Sequence, residues 1–159
     1  MAIKVFSVEY LDHLVTQAKN SSRLRQHSNI HDEYADPCQR LFNAIEPDSY
    51  IRPHHHGIET LFAIRGLMAL IVFNNKGAIE RVQKFGVGTC PSRPNIAAGT
   101  EISLSTWHTV VSLASGSILL EVKAGPFDPD MPKSFAPWAP EEGASDSANY
   151  LKQLIKEIN

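Results

Sequence analysis

Near the start of the chain, apolar residues recur at helical spacing. In SVEYLDHLVTQAKNSS, Val8, Leu11, Leu14, Val15 and Ala18 share one face, and Ser7 stands where an N-cap belongs. This predicts an N-terminal helix used for packing. A second short helix is expected in DPCQRLFNAIEP, where Asp36 suits an N-cap, Pro37 the first helical position and Pro47 the stop. Between them the period changes to two. In RLRQHSNIH, Arg23, Arg25, His27, Asn29 and His31 alternate with Leu24, Gln26, Ser28 and Ile30, so an extended strand would gather five polar groups on one face.

From Ser49 onward the candidate strands are TLFAIRG, MALIVF, AIERVQKF, EISLSTWHTVVSL and SILLEVKAG, with turn residues in NNKG and ASGS. Short strands without intervening helices argue for an antiparallel sandwich or barrel. GPFDPDMPKSFAPWAPEEG follows neither period, yet carries Phe127, Phe135 and Trp138, and reads as an ordered arm whose aromatics anchor it. The last segment places Leu151, Leu154, Ile155 and Ile158 on one face of a docking helix. The expected organisation is one globular domain: residues 1–48 with N-terminal helices and a polar strand, 49–125 as the barrel, and 126–159 as arm and C-terminal helix. No internal repeat or low-complexity tract is present.

A length of 159 residues at 43% hydrophobic content supports a single core. A formal net charge of -2 gives no general attraction for nucleic acid or an anionic membrane. No run approaches the roughly 20 apolar residues of a membrane span, and MAIKVFSVEYLDHLV lacks the pattern of a secretory signal, so the expected compartment is the cytoplasm. Cys38 and Cys90 form no CxxC pair and are expected to be buried, reduced thiols. The sequence contains no GxSxG elbow, Walker loop or GxGxxG after a strand.

The chemistry concentrates in RPHHHGIETLFAIRG. On a strand, His54 and His56 point to one face and His55 to the other, which is the convergence a metal needs. A surface loop rich in imidazole is the bland reading of the same run. Glu59 could offset part of a cation's charge. His108, inside the apolar TWHTVV, is costly there unless hydrogen-bonded or coordinated, and supplies a third imidazole.

His54, His56, Glu59, Gly66 and His108 together resemble the two motifs of the cupins. DPCQRLFNAIEPDSYIRPHHH, EISLSTWHTVVSL and LEVKAGPFDPDMPKSFAPWAPEEG are similar to WbuC-type cupin-fold metalloproteins, bacterial proteins associated with O-antigen and other polysaccharide gene clusters. The resemblance runs from about Arg23 to Glu142. It implies a mainly β double-stranded β-helix, or jelly roll, flanked by the helices. It also implies one divalent metal, zinc, iron, manganese or nickel, held by His54, His56, Glu59 and His108. By the same analogy a homodimer is expected. Two departures stand out. Two residues separate His56 from Glu59 where cupins have three or four, and Ser103 and Ser105 replace a usual proline and glycine.

Around this centre, Arg23, Arg25, Asn29 and His31 are expected to line the barrel mouth and bind an anionic ligand, although a solvated edge strand would show the same pattern. Arg52, two residues before His54, and Lys123 join the substrate-binding set; Gln39 and Arg40 are weaker candidates. Trp107 should face away from His108. The function expected is a metal-dependent step on a small anionic, sugar-derived or nucleotide-sugar metabolite: isomerisation or epimerisation, hydrolysis, or iron-dependent dioxygenation. A non-catalytic ligand-sensing cupin is the alternative, and a purely structural zinc the least favoured, since such sites typically use cysteine.

Overall fold

The computed structural model describes residues 3–88, 95–128 and 133–158. Helix α1 (Val8–Asn20) begins where the sequence places it, with the Ser7 hydroxyl accepting the Tyr10 N–H at 3.2 Å, and it buries Leu14, Val15 and Ala18. Strand β1 (Arg25–Asn29) is shorter than the alternation suggests, because Leu24 adopts φ 52° and breaks the extended run after Arg23.

The helix expected in DPCQRLFNAIEP is instead strand β2 (Cys38–Ile45). Asp36 does cap a backbone amide, but as a turn: its Oδ1 accepts the Cys38 N–H at 2.8 Å. Pairing along the full length of β2 with a later strand then overrides any local helical preference. Cys38, at the head of β2, is exposed rather than buried, while Cys90 lies outside the described residues.

Strands β3 (His54–His55), β4 (Glu59–Arg65), β5 (Leu67–Phe73), β6 (Ile79–Gly86), β7 (Gly99–Ile102), β8 (Trp107–Ser112), β9 (Ser117–Ala124) and β10 (Ser134–Phe135) follow, then helix α2 (Ser147–Ile158). EISLSTWHTVVSL, expected as one strand, is split between β7 and β8 by a turn in which Ser105 has φ 59°. Between β4 and β5, Gly66 adopts φ +77°, and a Cβ there would lie 2.9 Å from Ser117 Cα. Both facts exclude a side chain.

The strands form two antiparallel five-stranded sheets, ordered β1-β2-β9-β4-β7 and β10-β3-β8-β5-β6. Between them lies a core of Ile45, Leu61, Met68, Leu70, Phe85, Ile102, Val110 and Leu119. Helix α1 covers the outside of the first sheet on Phe42, Ala44 and Ile118. Helix α2 covers the outside of the second on Ala69, Ile71, Phe73 and Val111. With both faces of β5 covered, LMALIVF is apolar throughout instead of alternating. Trp138 of the arm packs on Phe73 at 5.0 Å between ring centres. No helix among the described residues is long and apolar enough to cross a membrane.

Candidate metal centre

His54 on β3 is paired directly with His108 on β8, so their side chains leave the second sheet on the same face. Their ring centres are 4.6 Å apart. His56, two residues beyond His54, brings its ring to 5.3 Å from His54 and 5.4 Å from His108. His55 points the other way, edge-on to Trp107 at 4.2 Å.

Glu59 arrives from the opposite sheet. Its Oε1 is 2.9 Å from His108 Nε2 and its Oε2 3.3 Å from His56 Nε2. The short His56–Glu59 spacing is sufficient because Gly57 and Ile58 carry the chain from β3 in one sheet to the first residue of β4 in the other. Ligand atoms of all four residues lie within 4.8 Å of one another.

The orientation of the rings is set by the main chain. His54 Nδ1 faces Arg52 O at 2.9 Å, His56 Nδ1 faces Gly57 O at 3.0 Å and His108 Nδ1 faces Thr106 O at 2.8 Å. A carbonyl can only accept, so each Nδ1 carries the hydrogen and each ring in its neutral form turns an Nε2 lone pair toward the common point. The Nε2 atoms of His56 and His108 are buried without a hydrogen-bond partner. Lone pairs facing a carboxylate at such distances repel unless a cation lies between them, so this donor set fits a divalent first-row metal.

Electrostatics agree. Burial, the Lys133 ammonium and His108 push the His54 ring down to about 2, which keeps it in the neutral form that ligates. Burial alone would raise the Glu59 carboxyl, but the close approach of the His108 and His56 rings outweighs it and holds the group ionised far below the usual range.

The centre opens into a cavity of about 550 Å³ bounded by inner faces of both sheets and by the arm. Arg23, Arg25, Asn29, His31 and Lys123 all line it, as do Gln26 and His27. The arginines are already engaged. Glu142 takes both: Oε2 accepts from Arg23 Nε at 3.1 Å, and Oε1 pairs with Arg25 Nη2. Arg25 also donates to Tyr50 O at 2.9 Å and is fixed in place. Lys123 is paired with Glu121. Arg52 is not among the cavity-lining residues: it donates to Ala136 O at 2.9 Å, lies 3.6 Å from Glu141 and sits over the Phe135 ring, holding the arm to β3. Gln39 is buried on the lining, donating to Tyr34 O and Asp36 O, whereas Arg40 pairs with Asp36.

Lys133 is the residue that sequence reasoning missed. Its Nζ comes 3.3 Å from His54 Nε2 and burial lowers its pKa. Nothing in the local pattern marks one lysine of a proline-rich arm; only the pairing of β10 with β3 puts it there.

The barrel has solved relatives. Over 84% of this chain and 85% of theirs, protein SO0799 from Shewanella oneidensis is similar with a TM-score of 0.56 at 9% identity. The polyketide cyclase RemF from Streptomyces resistomycificus gives 0.52 at 17% identity, over 80% and 78% of the chains. A mutant of Bacillus subtilis oxalate decarboxylase OxdC gives 0.50 at 16% identity over 70% of this chain, which spans only 27% of that enzyme's length. At these identities the likeness speaks for the fold alone, a cupin jelly-roll barrel. No curated protein matches the sequence. The WbuC-type resemblance is not what the family comparison returns: residues 6–85, half of the chain, match the model described as Domain of unknown function (DUF6016), and the chain belongs to that family.

Proposed function

We propose that this chain is a mononuclear metalloprotein that holds one divalent cation on His54, His56, Glu59 and His108 and acts on a small anionic metabolite in the adjoining cavity. The observation that carries the reading is the convergence of three backbone-oriented imidazoles and a buried carboxylate, with two Nε2 atoms left without partners. These four residues would hold the cation, and a first-row metal able to take more than four ligands would supply a Lewis acid on the cavity side. The chain's own groups orient the ligand: Lys133 and Lys123 flank the centre, and Asn29, His31 and Arg23 line the wall beyond. Arg25 and Arg52 are positioning residues, one bracing the mouth and the other the arm. The WbuC-type resemblance of the arm and of the arginine-rich segment supports a sugar-derived or nucleotide-sugar ligand from bacterial polysaccharide assembly.

The test is metal analysis of protein purified anaerobically and then offered zinc, iron and manganese in turn, followed by product analysis with acidic sugars. Stoichiometric metal and turnover are expected. Stoichiometric metal with binding but no turnover of any bound sugar would make the chain a sensor. Protein that holds no divalent metal under any of these conditions overturns the reading altogether.

A further inference from the structure

The cavity extends well beyond the metal centre. Glu59, Lys123 and Gln39 are direct neighbours across β4, β9 and β2, so Gln39 emerges on the same inner face two strands away, roughly 10 Å from Glu59. His31 stands at that far end, only 6% exposed. Its Nδ1 is 3.1 Å from the Arg40 N–H and 2.8 Å from Arg40 O, but that carbonyl already accepts the Ile30 N–H at 2.8 Å. The arrangement that satisfies both main-chain groups has Nδ1 accepting from Arg40, which leaves the hydrogen on Nε2. That atom is buried, has no hydrogen-bond partner and belongs to a ring on the cavity wall. An unmet buried donor costs about 1–3 kcal/mol, a cost that an acceptor reaching it from the cavity would remove.

Beside it, Tyr34 and Phe127 form an open V, with ring centres 5.2 Å apart at 43° and exposures of 60% and 52%. The Phe127 N–H donates to Tyr34 O at 2.8 Å and ties the two together. The cations nearest this end, Lys123 and Arg40, are already matched by Glu121 and Asp36, so the far subsite suits a neutral group rather than a second anion. Asn29, on the same wall, both donates and accepts.

Resting on the metal-site reading above, we infer that the ligand is an acidic monosaccharide lying lengthwise in the cavity. Its acid group sits at the metal, a C–H face of its ring packs against Tyr34 and Phe127, and a ring hydroxyl accepts the His31 Nε2–H.

Calorimetry on zinc-loaded protein tests this with two pairs of probes: glucuronate against acetate, and glucose 6-phosphate against inorganic phosphate. The sugar member of at least one pair binds about tenfold tighter, the worth of one hydrogen bond with a ring contact. His31→Ala and the rim variant Tyr34→Ala each remove most of that preference and leave acetate and phosphate affinity unchanged. In nitrogen NMR, the His31 Nε2 resonance moves on adding the preferred sugar acid and stays put with acetate. If neither sugar is preferred by more than about twofold, or if Tyr34→Ala weakens both members of a pair equally, the lengthwise ligand is overturned. Zinc content and acetate binding, read in the same runs, report separately on the metal site.

Discussion

Three carbonyl oxygens, on Arg52, Gly57 and Thr106, decide which nitrogen each ligand histidine presents. Because the acceptors are main-chain atoms, the lone pairs stay aimed through most side-chain changes nearby. His54→Ala and His108→Ala should therefore each cost metal affinity more than the roughly 10–100-fold that follows loss of a supporting partner. Arg23→Ala, whose side chain reaches Glu142 instead, should retain the wild-type metal stoichiometry; elemental analysis after dialysis distinguishes them. His54 and His56 were legible because their spacing puts them on one face, and His108 because an imidazole inside an apolar strand needs a partner, whereas Glu59 depends on the crossing between sheets. Ser105 shows the reverse case, a departure from the family pattern with a measurable cost. At φ 59° it occupies the region where cupins carry glycine. Ser105→Gly relieves about 1–2 kcal/mol of left-handed strain against about 0.5–1 kcal/mol of added chain entropy, and so should raise thermal stability slightly, by up to about 1.5 kcal/mol.

Among the elements, β2 shows most clearly where sequence reading fails. Leu41, Phe42, Ala44 and Ile45 fall at spacings that mimic a helical face. They are apolar for two separate reasons: Leu41 and Ile45 face the cavity and core, while Phe42 and Ala44 lie under α1. The polar partners on the inward side, Gln39 and Asn43, belong to the cavity, so the alternation that would have revealed a strand is hidden by function on one face and by a helix on the other. The two helices themselves were readable, α1 from a cap and an apolar stripe and α2 from the stripe alone. Helix α2 buries Leu151, Leu154 and Ile158 on the second sheet. Leu154→Ala should cost about 2–5 kcal/mol in chemical unfolding, with metal affinity unchanged in the protein that remains folded.

Across the whole molecule, the cavity mouth is closed by residues far apart in sequence. Arg25 and Glu142, 117 positions apart, form a pair that no local pattern could have announced. Burial alone would raise the Glu142 carboxyl, but its hydrogen bond and attraction to Arg25, helped by Arg23, dominate and lower it below its ordinary value of 4.5. A depressed folded-state value means the pair stabilises the fold above pH 4.5 and that this contribution disappears as pH falls through the lowered value. Melting temperatures of wild type and Glu142→Gln should therefore differ near neutrality and converge under acid conditions; curves that stay parallel down to pH 3 would refute the assignment.

The pairing of β3 with both β8 and β10 has a consequence in time as well as in space. His54 emerges from the ribosome long before its partner His108, and the arm that backs it follows later still. On a chain made from its N-terminus, the four donors cannot meet until His108, 54 positions after His54, has been translated. Metal capture therefore waits on the synthesis of β8, and a nascent chain halted before residue 108 should bind cations no better than any other histidine-bearing peptide.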